Sequence, residues 1–415
     1  MTNTGKVHFF IGPNNSGKTN ILDAIFQLFN KNNSKILDPS TDLTVKFVVN
    51  SQSGKNLIVN QSNNQKKFML DGKLLSSKEG EKLLHKHIIR LCATRPIGFE
   101  RLFSDYSTLK NNFPTSYQIF TTSLKKYFPD LNIDDSFLDT KKINDNDFST
   151  PFERLSDGLQ QIFTILLYIF HPIYTIILLE EPEIHLHPGL IKKLLKNIES
   201  EELSNQIFLT THSPLFIHTL NLHRLFRVIR ENNSTIVYSP RLTGQKINYS
   251  RLTQELNADN CEMFFAEKIL LVEGPSDHIL MRGLIDRFYQ GNSDVKVIQI
   301  YGKSNLDVYT NLLEMFNISY TVLLDEDALH DPGIELISKR LFGKSFNTEI
   351  EQILFLKSQN IFILPNGSIE NNYPKKYQKK RKHKPHNALF AASHITEEEF
   401  SSQNMSNLRE IIASL

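Results

Sequence analysis

Residues 12 to 19 read Gly12-Pro13-Asn14-Asn15-Ser16-Gly17-Lys18-Thr19, a complete G-x-x-x-x-G-K-[ST] phosphate loop. Gly12 and Gly17 allow backbone N–H groups to turn inward around phosphates, Lys18 reaches the β/γ oxygens, and Thr19 offers a hydroxyl to Mg²⁺. The flanks suit that role. Val7 to Ile11 form a short apolar strand, and Asn20 to Phe26 open a helix whose N-terminal dipole faces the phosphates. An eight-residue pattern arises by chance easily, but a strand before it and a helix after it make the phosphate-binding reading the stronger one. ATP is the expected cofactor of an α/β nucleotide core.

The rest of the composition narrows the class. With 415 residues and 40% hydrophobic content, the chain is long enough for two or three domains, each with its own core. Two cysteines, Cys92 and Cys261, stand far apart without metal-spaced neighbours, which argues against a disulfide framework or a zinc site and for a reducing cytoplasm. No signal peptide is visible, and the longest apolar run, Ile162 to Phe170, is about half the ~20 residues a membrane span needs, so no membrane partner is expected. The net charge of +2 is uninformative, but Lys375 to Lys384 carry seven Lys or Arg in ten residues. Such a run is ordinarily a solvated loop. It becomes a phosphate-backbone contact if another part of the chain does nucleic-acid chemistry.

Past the first helix, residues 41 to 72 alternate in strand fashion and end in Asp71-Gly72, which predicts an antiparallel β arm on the nucleotide core. Residues 101 to 150 are polar and predict short helices with loops. Leu155-Ser156-Asp157-Gly158 then precedes an apolar helix. Alone it would read as a common turn and helix start. Between a phosphate loop and an acidic strand end it resembles the signature segment of ABC-type ATPases, in which the serine hydroxyl and backbone N–H groups meet the γ-phosphate held by an opposite subunit. The buried strand Thr175 to Leu179 runs into Glu180-Glu181-Pro182-Glu183-Ile184-His185-Leu186-His187. Glu180 is placed to hold Mg²⁺ through water and Glu181 to polarise the attacking water. His185 and His187 look like a metal pair but fit better in a loop that meets a partner subunit. A further strand, Gln206 to Thr210, delivers His212, which can sense the γ-phosphate.

A second group of strands follows. Lys268 to Val272 deliver Glu273, with Asp277 at the start of the next helix. Val295 to Ile300 lead to Gly302-Lys303, Tyr320 to Leu324 to Asp325-Glu326-Asp327, and Ile361 to Leu364 to Pro365-Asn366-Gly367-Ser368-Ile369-Glu370. Parallel strands place such residues at one edge, where open α/β sheets bind ligands. An oxygen-only set of Glu273, Asp277, Asp325, Asp327 and Glu370 suits Mg²⁺ or Mn²⁺ rather than zinc. Two such cations can stabilise the attacking and leaving oxygens of a phosphodiester displacement. Any one of these acids alone would be a helix cap or a surface charge.

The order Glu-Gly-x-x-Asp, Gly-Lys, Asp-x-Asp resembles a Toprim domain, the metal-binding fold of topoisomerases, primases and some nucleases. Set behind an ABC-type ATPase with Glu-Glu-Pro-Glu-x-His-Leu-His-Pro, it closely resembles the OLD (overcoming lysogenization defect) ATP-dependent nucleases. The resemblance implies an α/β chain: an ABC-type (P-loop) ATPase domain at residues 1–258, with an arm and insert at about 30–150, followed by a Toprim α/β domain at 259–415. It assigns ATP binding to Gly12, Asn15, Gly17, Lys18 and Thr19, Walker B roles to Glu180 and Glu181, and metal binding to the five acids named above. It also implies a catalytic lysine near the C-terminus, for which Lys384 is the counterpart and Lys380 and Lys382 the alternatives. Asp277 stands where the family tends to have Glu, and Ser368 where it tends to have Asp.

The function so implied is an ATP-regulated, Mg²⁺- or Mn²⁺-dependent DNA endonuclease in bacterial antiviral defence, assembling as a dimer or higher homo-oligomer through its ATPase domain. A helicase-like or retron-type protein is the expected defence partner. The rival reading is a non-nucleolytic DNA-binding ATPase resembling recombination mediators, with the Toprim part as a docking platform. A topoisomerase would need a nucleophilic tyrosine on a further domain for which little chain is left.

Overall fold

β1 (Val7–Ile11) is buried at every position, because it lies inside a six-stranded sheet ordered β13-β12-β1-β11-β10-β6. The computed structural model describes residues 6–29, 43–50, 55–62, 65–80, 87–92, 94, 96–132, 142–145, 148–203, 205–240, 256–257, 259–330, 343–365, 367–378 and 383–415. They fall into two compact units: residues 1–216 with 221–237, and 217–220 with 238–415.

In the first unit β1 is followed by α1 (Lys18–Phe29), and the arm residues form a separate sheet of β2 (Leu43–Asn50), β3 (Lys55–Ser62), β4 (Gln65–Leu70) and β5 (Lys73–Leu75). Its strands pair antiparallel in sequence order. Asp71 and Gly72 supply the positive φ values, 48° and 82°, that a tight hairpin requires. Phe68 of β4 is buried with Leu22 and Ile25 of α1 and Leu178 of the main sheet, so the arm closes one face of that sheet.

After β6 (Ile88–Cys92) come two 14-residue helices, α2 (Phe99–Asn112) and α3 (Pro114–Tyr127). They are longer than the short helices the polar composition suggested, since a few aromatics at helical spacing suffice to bury one stripe of each. A small sheet, β7 (Leu131–Asn132), β8 (Lys142–Asp145) and β9 (Phe148–Pro151), leads to α4 (Asp157–Phe170). Tyr106 of α2, Phe120 of α3 and Phe152 surround Phe163 of α4 at ring-centroid distances of 5.9, 5.2 and 4.9 Å. Nearby, Asp105 Oδ2 accepts from the hydroxyls of Tyr168 (2.8 Å) and Tyr174 (2.9 Å). β10 (Ile176–Glu180), α5 (Pro188–Ile198), β11 (Gln206–Thr210), β12 (Leu225–Glu231) and β13 (Ser234–Tyr238) complete the unit. β11 and β12 flank β1 and β6 and β11 flank β10, all parallel.

The second unit contains β14 (Lys268–Val272), α6 (Pro275–Phe288), β15 (Val295–Gln299), α7 (Leu306–Met315), β16 (Ser319–Leu324), α8 (Glu349–Ser358), β17 (Ile361–Ile363) and α9 (Lys384–His394). Its four-stranded sheet is ordered β15-β14-β16-β17, and every pair is parallel. α6 and α9 cross closely: a Cβ on Gly283 would fall 2.6 Å from Cβ of Ala392. Arg287 of α6 donates to the carbonyls of Ala392 (2.6 Å) and Ile395 (2.5 Å) at the end of α9. The two helices therefore run the same way, and both begin beside the C-terminal ends of the strands.

Phe163 is the hub of the aromatic cluster, and Phe163→Ala should cost about 3–5 kcal/mol through lost burial and the cavity left behind. Calorimetry of the full chain should show the transition of the first unit moving down while that of the second stays in place.

Candidate functional site

The phosphate loop adopts the backbone its glycines permit. Gly12 and Gly17 have φ of 140° and 95°, and Asn15 has 58°, a region asparagine tolerates. Both glycines are also crowded. A Cβ on Gly12 would lie 2.1 Å from the Val228 carbonyl oxygen, and one on Gly17 2.2 Å from Thr235 Oγ1. Lys18 is buried, and its Nζ donates to the carbonyls of Gly12 (2.9 Å) and Pro13 (2.7 Å). Burial pulls this ammonium down to about 8, against the opposing pull of Glu181 and Glu183. A buried cation held by loop carbonyls, inside a cradle that cannot accept side chains, fits a polyphosphate.

At the end of β10, Glu180 faces a cation supplied by the chain. Arg90 Nη2 on β6 lies 2.7 Å from Glu180 Oε2, and Arg90 Nη1 pairs with Asp23 of α1. Burial would raise the Glu180 carboxyl, but Arg90 outweighs it and holds the pKa below the ordinary range, with smaller help from the nearby Thr19 and Cys92 side chains. Thr19 is close enough to Glu180 to act on its carboxylate. Glu181 has φ of 47°, and its Oε1 lies 3.2 Å from His212 Nε2. Burial first, then the nearby Lys18, lower the His212 pKa, while Glu181 opposes them.

Sequence reasoning gave no role to Glu183, yet it sets the histidine. Its Oε1 accepts from Thr211 Oγ1 (2.8 Å) and from the His212 backbone N–H (2.6 Å). Burial raises its pKa. The signal was present in the second Glu of Glu-Pro-Glu. Arg90 was also missed, and its signal was a lone charge inside the apolar strand Ile88 to Cys92. Ser156 is the exposed N-cap of α4, and its side chain makes no capping hydrogen bond. Gly158 is close-packed, since a Cβ there would lie 2.8 Å from the His185 carbonyl oxygen. His187 accepts from the Gly189 N–H at 3.2 Å and caps α5.

In the second unit the parallel strands deliver the acids to one edge. Carboxylate oxygens of Glu273, Asp325 and Asp327 lie within 4.8 Å of one another. Asp277 is buried beside them and accepts the Gly274 N–H at 2.8 Å, so it is helix cap and cluster neighbour at once. Burial first, then Asp325, raises its pKa to about 7. Asp325 is raised to about 6 by burial and by Glu273, Glu370 and Asp327. Glu370 Oε2 accepts from Ser368 Oγ (2.6 Å) and pairs with Lys384 Nζ (3.2 Å). Glu370 Oε1 is buried with no hydrogen-bond partner among the described residues. Crowded carboxylates, two of them raised by burial and by neighbouring acids, with a buried oxygen that has no hydrogen-bond partner, fit a hard divalent cation. Lys303, quoted in the Gly-Lys motif without a role, lies 2.7 Å from Asp327 Oδ2. Lys380 and Lys382 lie outside the described residues.

Residues 264–327 match the family model described as "Overcoming lysogenization defect protein-like, TOPRIM domain". Residues 39–218 match an AAA domain model whose description also carries the type IV toxin–antitoxin label. The chain thus carries an AAA-type ATPase domain match followed by an OLD-like Toprim domain match. It is 25% identical over 330 residues to "Endonuclease GajA" of Bacillus cereus (strain VD045), covering 76% of this chain and 52% of that one. It is 24% identical over 166 residues to "Old nuclease" of Escherichia phage P2, covering 37% of this chain and 28% of the relative. The chain thus spans about half, or less, of the length of these two relatives. A solved SMC head bound to the C-winged helix domain of ScpA superposes with a TM-score of 0.43 at 15% identity, covering 58% of this chain and 92% of the other. No described helix is long and apolar enough to cross a membrane.

The raised carboxyls give stability a definite pH dependence. Asp277 and Asp325 titrate at about 7 and about 6 in the fold, against an ordinary 3.8. Between those limits the folded state binds more protons than the unfolded chain, so stability falls as pH rises from about 4 to 7. In chelator, the Toprim transition should melt lower at pH 8 than at pH 5. Asp277→Asn should flatten that slope, and a divalent cation should restore much of the loss at pH 8.

Proposed function

We propose that the chain is an ATP-binding, divalent-metal-dependent DNA endonuclease. The observation that carries this reading is the convergence of Glu273, Asp325 and Asp327 within 4.8 Å at one sheet edge, with Lys384 and Lys303 paired to acids at its margin. The two relatives, an endonuclease and a nuclease by name, support it. So does the run of cations from Lys375 to Lys384, which suits a phosphate backbone.

In this reading Glu273, Asp325 and Asp327 hold Mg²⁺ or Mn²⁺, with Asp277 and Glu370 beside them. The bound cations supply Lewis-acid stabilisation of the charge that builds on a phosphodiester. Lys384 places its Nζ next to that charge, where a preorganised donor stabilises it without reorganising. In the ATPase domain, Lys18 and the loop N–H groups bind the phosphates of ATP, Thr19 and Glu180 hold its Mg²⁺, and Glu181 orients water with His212 beside it. Ser156 and Gly158, at the start of α4, meet nucleotide on a second copy of the chain, which makes the assembly a dimer or higher homo-oligomer. The setting is the bacterial cytoplasm in defence against phage, beside a helicase-like or retron-type partner.

The test is cleavage of supercoiled plasmid by the full chain in Mg²⁺ or Mn²⁺, with and without ATP. Metal-dependent nicking is expected, reduced at least about a hundredfold by Asp325→Ala or Lys384→Met. DNA binding without cleavage under every condition would sink this reading and favour the Toprim domain as a docking platform. Lys18→Ala should abolish ATP binding and thereby show whether nucleotide promotes or restrains nicking.

A further inference from the structure

We propose that Arg90 is a tethered cation that occupies the Walker B carboxylate when no nucleotide is bound, and that Mg²⁺·nucleotide binds only by exchanging Arg90 off Glu180 and onto Asp23 alone. This rests on the assignment of Glu180 and Thr19 to nucleotide-bound Mg²⁺.

Arg90 is a charged residue in a strand whose other members are apolar, next to β10 in the sheet. Its guanidinium divides between two carboxylates on different elements, Glu180 at the end of β10 and Asp23 on α1. All three side chains are largely covered, at 15% exposure for Arg90, 14% for Glu180 and 24% for Asp23. Glu180 Oε2 is thus already taken up by the Arg90 guanidinium at hydrogen-bond distance. A carboxylate oxygen engaged in that way has less capacity left for another cation. A dication arriving there also meets a fixed positive charge at hydrogen-bond distance. Both obstacles go if Nη2 releases Glu180, and Asp23 makes the release possible because it keeps the guanidinium paired. Guanidinium suits this better than an ammonium: it is planar, permanently charged and bonds two acceptors from separate nitrogens. Asp23 lies one turn beyond Lys18 on α1, so the exchange is sensed by the helix that begins at the phosphate loop.

The experiment measures binding of a fluorescent ATP analogue to the full chain as free Mg²⁺ is varied, for wild type, Arg90→Gln, and the double variant Arg90→Gln with Asp23→Asn. Circular dichroism confirms that each variant folds. Wild type should need the most Mg²⁺. Arg90→Gln should reach half-saturation at about tenfold lower Mg²⁺, the worth of one charge-assisted hydrogen bond. The double variant restores the wild-type net charge. If Arg90 acts by occupying Glu180, it too should keep the lower requirement. If local charge alone is at work, it should return to the wild-type value, and the proposal is overturned. It is equally overturned if Arg90→Gln, or the double variant should the single one unfold, needs as much Mg²⁺ as wild type. Nucleotide bound by none of the three proteins at any Mg²⁺ concentration would instead sink the ATP assignment itself, and this inference with it.

Discussion

Negative charge gathered at the ends of parallel strands is the condition on which both halves of the molecule turn. Parallel pairing sends every C-terminal end to the same edge, so acids that are far apart in sequence become neighbours. Each half then answers the resulting repulsion with cations of its own. In the ATPase domain they are Arg90 on Glu180 and the buried Lys18 near Glu181 and Glu183. In the Toprim domain they are Lys384 on Glu370 and Lys303 on Asp327. The two answers differ in completeness. Glu180 is held below its ordinary pKa, whereas Asp325 and Asp277 are pushed above theirs.

Most of the architecture could be read from local patterns. A phosphate loop between a strand and a helix has few alternatives, and short apolar runs that each end in an acid predict parallel strands with a common functional edge. The β arm was equally legible from alternation and Asp71-Gly72. Residues 101 to 150 were not, because α2 and α3 bury only a narrow stripe of aromatic and leucine side chains, so polar composition conceals their length. Arg90, Glu183 and Lys303 act through tertiary contacts with residues distant in sequence, and a motif names residues by their neighbours along the chain. Asp277 shows the converse difficulty. Helix capping and membership of an acid cluster are separate roles on paper, and in the fold one carboxylate meets both conditions.

Lys384 reaches Glu370 because of a contact made elsewhere. The close crossing of Gly283 and Ala392, with Arg287 fixed on the end of α9, seats that helix on α6. Ala392 is eight residues beyond Lys384, a span of about 12 Å along a helix. The helix acts as a ruler whose zero mark is the crossing. Adding one residue between Lys384 and Ala392 would turn the lysine by roughly 100° around the axis while leaving the helix, its packing and every acid as they are. The spacing between this lysine and its anchor is therefore under tighter constraint than most of the side chains between them.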